Sequence, residues 1–214
     1  AYDLDQAGRW SAALAVSEAA GLGSYSARMA GEGRVAGHAA VRVEVRATDA
    51  WRYGYRLWLE RSSALPLRVD LLDSAGRVIE QVAFTELALG AAPDEADLRP
   101  SAGAPLQRIS RLPPPGDGAV AWRVPSPPAG FRLRAARPLP GGGAHLLYSD
   151  GLASVSVYAE PSAEALRGGL SEQRGAVHAR AFWLEGWQLL AIGKVPPATV
   201  EHFARTVRPV PADG

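Results

Sequence analysis

A chain of 214 residues, 47% hydrophobic and 21% charged, is long enough to bury a core without disulfide staples, and it has no cysteine with which to make one. A formal net charge of +1 argues against a nucleic-acid-coating role, which needs a basic excess on one face. Thiolate metal sites and cysteine nucleophiles go with the missing cysteines, and no apolar run approaches the roughly 18 residues that span a bilayer.

From the amino terminus, Asp3 to about Ala20 is rich in Ala and Leu and reads as a short helix with Leu4, Trp10, Leu14 and Val16 on one side. From Tyr25 the pattern changes to period two. Val41, Val43 and Val45 alternate with Arg42, Glu44 and Arg46, as a strand with one dry and one wet face should. Trp51 to Arg61 reads as a second strand, with Trp51, Tyr53, Tyr55, Leu57 and Leu59 on one face and Arg52, Arg56 and Glu60 on the other. Leu65 to Asp73 is the return arm of a hairpin, and Arg77 to Leu87 follows a turn at Asp73-Ser74-Ala75-Gly76. Together these predict an antiparallel meander of four strands.

Between about Gly90 and Gly118 the periodicity stops while Pro93, Pro100, Pro105, Pro113, Pro114 and Pro115 accumulate, the signature of a linker. Beyond it, Ala121 to Val124, Phe131 to Ala135, His145 to Ala159 and Ala176 to Ile192 read as short strands, broken at Ser149-Asp150-Gly151 and near Glu185-Gly186. Pro196-Pro197 followed by Thr199 to Val207 predicts a closing helix with Val200, Phe203, Ala204 and Val207 on one side. The expected fold class is therefore α+β, with one sheet domain at 1–90, a linker at 91–118 and a smaller mixed domain at 119–214.

Little in the chain points to catalysis. His38, His145, His178 and His202 are scattered with no i, i+4 pair around a carboxylate, and no Gly-x-Ser-x-Gly elbow is present. Gly141-Gly142-Gly143 lacks the Lys-Ser/Thr that a phosphate loop needs and reads as a hairpin or loop. Ser149-Asp150-Gly151 reads as turn chemistry. The expectation is a protein that is not an enzyme, with no metal and no cofactor.

Binding candidates are clearer. The stripe Trp51, Tyr53, Tyr55 is either core or the lining of an apolar cavity that takes acyl chains or a peptide's apolar side chains. Trp58, outward beside Arg56, marks a contact surface or a helix-covered face. Arg99, Arg108, Arg111, Arg123, Arg132, Arg134 and Arg137 stand against the single acid Asp117, so this zone is either a solvated basic linker or an anion-recognising hinge. Trp51, Tyr53, Tyr55, Trp58, Arg123, Arg132, Arg134 and Arg137 are accordingly the candidate partner- or lipid-binding residues.

Two groups of stretches carry a family resemblance. The first is Tyr55 to Leu59, Leu65 to Asp73 and Gly76 to Gln81; the second is Pro128-Ala129-Gly130-Phe131, Leu147 to Val157 and Gly193 to Thr199. In this order, flanking a linker, they resemble the sigma-E regulatory family (RseB/MucB), over roughly Tyr25 to Pro209. The resemblance implies an amino-terminal domain with the curved antiparallel sheet of a LolA-like half-barrel and a smaller carboxy-terminal domain. It implies a periplasmic regulator that binds the periplasmic part of a membrane-anchored anti-sigma factor, protects it from proteolysis, and releases it on sensing lipid or lipopolysaccharide. A periplasmic carrier or sensor of acylated ligands is the alternative, and homo-oligomerisation is left open. Family members usually carry a longer amino-terminal domain, so strands before Tyr25 are expected to be missing, and the sequence opens on no export signal.

Overall fold

The computed structural model describes residues 23–90, 92, 94–96, 120–163 and 169–210. The helix expected at Asp3 to Ala20 and most of the 91–118 span lie outside the described residues. Five strands form the first sheet: β1 (Tyr25–Val35), β2 (His38–Ala47), β3 (Gly54–Glu60), β4 (Pro66–Leu72) and β5 (Val78–Ala83), hydrogen-bonded in chain order. All neighbours run antiparallel, and among the described residues β1 and β5 are open edges and the sheet does not close into a barrel.

The meander thus has one strand more than expected. β1 is an edge strand, solvent-exposed at most positions, so its sequence carries no alternation to read. Its link to β2 is the two-residue turn Ala36-Gly37, with φ of 47° and 80°. Positive φ at both positions matches the right-handed twist of the flanking strands, and the alanine makes it at some strain. At the corner between β3 and β4 Glu60 accepts from the N–H and O–H groups of Ser62 and Ser63. These bonds, that from the Ser62 hydroxyl first, hold its carboxyl down to about 2.

Trp51 to Tyr53 corrects another expectation. These residues form a bend before β3, held by the Trp51 N–H donating to Asp49 Oδ1 at 2.9 Å, and are not part of the strand. Likewise β5 stops at Ala83 although the apolar pattern runs to Leu87.

The second sheet has six strands, β7 (Arg132–Leu139), β8 (Gly143–Ser149), β9 (Ser154–Pro161), β10 (Leu170–Arg174), β11 (Val177–Leu184) and β12 (Trp187–Gly193), in the order β10-β11-β12-β9-β8-β7. β10 escapes sequence reading because all five of its residues are exposed. The helix α1 (Pro197–Thr206) packs across β11, β12 and β9, burying Val200, Phe203 and Ala204 against Leu146, Val155, Val157 and Leu189. Pro197 sits in the first turn, where its missing N–H has no partner to lose, and the chain leaves the helix at Val207, just before Arg208-Pro209. Full burial of Val200 and Phe203 contributes about 1.5–3 kcal/mol each. A short pair, β6 (Trp122–Arg123) with β13 (Arg208–Pro209), closes the same side of this core, Trp122 meeting Trp187 edge-on at 4.8 Å.

Candidate functional site

The two sheets meet along a seam, and its centre is a buried ion pair between residues 98 positions apart in sequence. The Ser149-Asp150-Gly151 turn reading is correct, since Asp150 Oδ1 accepts the N–H groups of Leu152 and Ala153 at 2.9 and 2.7 Å. Its second oxygen does something the turn does not need. Asp150 Oδ2 lies 2.7 Å from Nε of Arg52, in the bend before β3, and accepts the hydroxyl of Tyr25, on β1, at 3.1 Å. Neither Arg52 nor Asp150 exposes more than 3% of its surface.

Of the terminal nitrogens of Arg52, one pairs with Asp49 on its own side of the boundary, and the other crosses it to donate to the Ala129 carbonyl at 2.6 Å. The guanidinium lies over the Phe131 ring at 4.8 Å and the Tyr25 ring at 5.6 Å. Gly130, between those two partners, has φ of 87°, and a Cβ there would stand 2.7 Å from Ser24 Oγ and 3.4 Å from the guanidinium. The stretch Pro128-Ala129-Gly130-Phe131 is thus a receptacle for one arginine: a carbonyl, a residue without a side chain, and a ring. Burial first, and then the neighbouring Tyr55 and Asp150, push the Tyr25 hydroxyl far above its ordinary range, so it remains a donor.

Away from this centre the seam is polar at intervals and apolar between. The Tyr53 hydroxyl and His178 Nε2 are 3.1 Å apart, and the Tyr55 hydroxyl donates to the Leu152 carbonyl at 3.4 Å. Burial lowers the His178 pKa and raises those of Tyr53 and Tyr55, so it favours the uncharged form of each. Lys194 pairs with Glu80 at 3.1 Å, and Thr199 Oγ1 donates to the Trp51 carbonyl at 2.7 Å. Trp51 packs on the core under α1, its ring 5.1 Å from that of His202. Ala176 and Leu152, from the second sheet, complete the apolar cluster of Val45, Tyr55, Leu57 and Leu71.

Of the sequence-predicted residues, Trp51, Tyr53 and Tyr55 are therefore brought together, but as seam residues whose outer ends the second sheet covers. Trp58 lies on the opposite face, flanked by Arg42 and Arg68 at 5.4 and 5.9 Å and seated on Gly33. Around it, Glu44 joins Arg28, Arg46 and Arg56, and Asp70 joins Arg68 and Arg56. Burial raises the Glu44 pKa, but the hydrogen bond and charge of Arg28, helped by Arg46, outweigh it and the net shift is downward. A cleft of about 450 Å³ beside Arg52 and Arg56 carries acids and arginines in equal number, so it favours neither sign of ion.

The predicted basic hinge separates into two places. Arg132, Arg134 and Arg137 belong to β7, a strand at the edge of the second sheet, and Arg123 stands on β6 directly opposite Arg208. What sequence reasoning missed were Arg52, Asp150, Tyr25 and His178. Their signal was indirect: stretches quoted for the family resemblance hold Ala129, Gly130, Phe131, Asp150, Lys194 and Thr199, all of which meet the seam. Among the described residues no group of three His, Asp or Glu side chains could hold a metal.

Two antiparallel sheets, the second backed by a helix, are thus joined through a buried arginine-aspartate pair. Residues 3–102 match the model of the MucB/RseB N-terminal domain and residues 117–208 that of the MucB/RseB C-terminal domain; the chain belongs to the MucB/RseB family. It is 39% identical over 194 residues to the sigma factor AlgU regulatory protein MucB of Pseudomonas aeruginosa, covering 86% of this chain and 61% of that protein. It is 31% identical over 190 residues to the sigma-E factor regulatory protein RseB of Escherichia coli K12, covering 83% of this chain and 57% of that protein. Among solved structures, a complex of Pseudomonas aeruginosa MucA and MucB aligns with a TM-score of 0.75 at 37% identity, over 88% of this chain and 66% of the other. MucB in complex with MucA(peri) aligns at 0.76 and 37% identity, over 88% and 68%. A structure of MucB aligns at 0.61 and 35% identity, over 90% and 65%.

Proposed function

We propose that this chain is the binding part of a periplasmic negative regulator of an envelope-stress sigma factor. It holds the periplasmic part of a membrane-anchored anti-sigma factor, shields that segment from proteolysis, and gives it up when an anionic amphiphile such as lipopolysaccharide competes. The observation that supports this best is the arrangement of the two sheets across the Arg52–Asp150 seam in a chain that aligns at 0.75 and 0.76 with structures of MucB in complex with MucA.

Release follows from what the seam covers. Tyr53 and Tyr55 present an aromatic surface that acyl chains would favour, yet the second sheet occupies it through His178, Leu152 and Ala176. An amphiphile that enters there must part the sheets. If the anti-sigma segment needs them joined, each ligand weakens the other by the same factor, as linkage requires. The test is a titration of the labelled periplasmic segment of the anti-sigma factor from the same genome, with and without lipopolysaccharide. Submicromolar binding that weakens as lipopolysaccharide rises is expected. Absence of binding would overturn the reading; binding indifferent to saturating lipid would remove the release step alone.

A further inference from the structure

The two large sheets have four open edges among the described residues: β1, β5, β10 and β7. Three carry mixed or little charge, as with Glu172 and Arg174 on β10. β7 carries one sign. Arg132, Arg134 and Arg137 take part in no ion pair or hydrogen bond of their side chains with a described residue, whereas Arg28, Arg46, Arg56, Arg61, Arg68 and Arg77 each hold a carboxylate. Leu133, between the first two, leaves 48% of its surface in solvent.

Register sorts these side chains by face. Arg132 pairs with Ser149, Ala135 with Leu147 and Arg137 with His145, so Arg132 and Arg137 share the face turned away from α1. Leu133, opposite Tyr148, belongs to the core face, and Arg134 is the extra residue of a bulge between Leu133 and Ala135. Such an edge combines unpaired ladder groups, one uncovered leucine, and two like charges on the order of 13 Å apart at the ~3.3 Å rise of a strand.

Charges and bulges on an edge strand ordinarily prevent edge-to-edge association. Here they repel a second copy of β7, which brings the same three arginines, but they attract a strand of opposite sign. From this we infer that β7 is a docking edge for an extended acidic peptide segment, which adds to the second sheet as a seventh strand. Its carboxylates meet Arg132 and Arg137 on one face, Arg134 at the bulge takes a third, and an apolar side chain covers Leu133. Main-chain hydrogen bonds carry the affinity and the arginines choose the partner. The inference deepens the function proposed above and rests on it, by giving the anti-sigma segment a place to bind.

The experiment uses the full chain and overlapping synthetic peptides from the same periplasmic segment. The tightest acidic peptide is then made in two forms, with backbone N-methyl groups at the odd or at the even positions. Only every second N–H of a strand faces a given neighbour, so one form should lose binding and the other keep it. The variant Arg132→Ala/Arg134→Ala/Arg137→Ala breaks no bond within the described fold, and its affinity for the unmodified peptide should fall about tenfold at low salt, the exposed pairs being weak individually. Equal effects of the two N-methyl forms, or unchanged affinity of the triple variant, overturn the edge while leaving anti-sigma binding in place. If that variant keeps the peptide and loses anionic phospholipid vesicles instead, the arginines face a membrane and the inference is wrong. A wild-type chain that binds none of the peptides and not the intact segment sinks both readings.

Discussion

Replacing Arg52 by Met keeps much of the hydrocarbon stem over Phe131 and deletes the charge that Asp150 answers. Removing one member of a buried ion pair costs roughly 3–5 kcal/mol. The low end applies, because Asp150 retains the Leu152 and Ala153 N–H groups and the Tyr25 hydroxyl. The Ala129 carbonyl loses its donor as well, at about 1 kcal/mol. A destabilisation of about 3–4 kcal/mol is expected for Arg52→Met. Asp150→Asn keeps the turn-capping oxygen but turns an amide N–H toward Arg52, and about 2–3 kcal/mol is expected. Because each single variant strands the other's partner, the double variant should lose less than the sum by about 2 kcal/mol. Urea unfolding followed by tryptophan fluorescence and by far-ultraviolet circular dichroism measures all four corners of the cycle. Small-angle scattering under native conditions adds what local packing alone would not change, an enlarged radius of gyration for Arg52→Met. Additivity within about 0.5 kcal/mol and an unaltered radius would refute the pair as the lock between the sheets.

Gly130→Ala should destabilise by more than the ~1 kcal/mol of a positive-φ alanine, since its Cβ meets Ser24 Oγ at 2.7 Å; the same scattering and urea measurements check it, and an effect below that figure would show the receptacle to be compliant. His178 has a pKa lowered by burial from 6.5, so the unfolded chain binds the proton more readily; stability is undiminished above about pH 6.5 and falls as the pH drops through the folded value. Comparing wild type with His178→Gln between pH 5 and 8 should show a shallower loss in the variant. Part of the slope should survive, because His145, whose pKa burial and then Arg137 also lower, titrates in the same sense.

These perturbations bear on function through one physical point. Arg52, Tyr53 and Tyr55 form a seam with a buried ion pair and hydroxyls inside it, unlike the core cluster under α1, which holds no charged side chain. Buried polar groups demand geometry: satisfied they hold one arrangement, and parted they must be rehydrated together. The coupling proposed between a peptide ligand and an amphiphile requires such a joint to part as a unit.

Much of the local structure was legible in the sequence because it depends on neighbours along the chain. Alternation at Val41 to Arg46 and Tyr55 to Leu59 marks strands whose two faces meet different surroundings, and Pro196-Pro197 before Val200, Phe203 and Ala204 marks a helix start. β1 and β10 were not legible: an exposed edge strand has no buried face to impose a pattern, and only pairing with β2 and β11 makes it a strand. The resemblance located the family, and the residues that carry it turned out to touch the seam. Tertiary structure alone decided that Asp150 faces Arg52, that Tyr53 faces His178, and that Arg132, Arg134 and Arg137 line an open edge. Each depends on how distant segments are brought together, and composition and periodicity along the chain hold no record of a meeting between residues 98 or 125 positions apart.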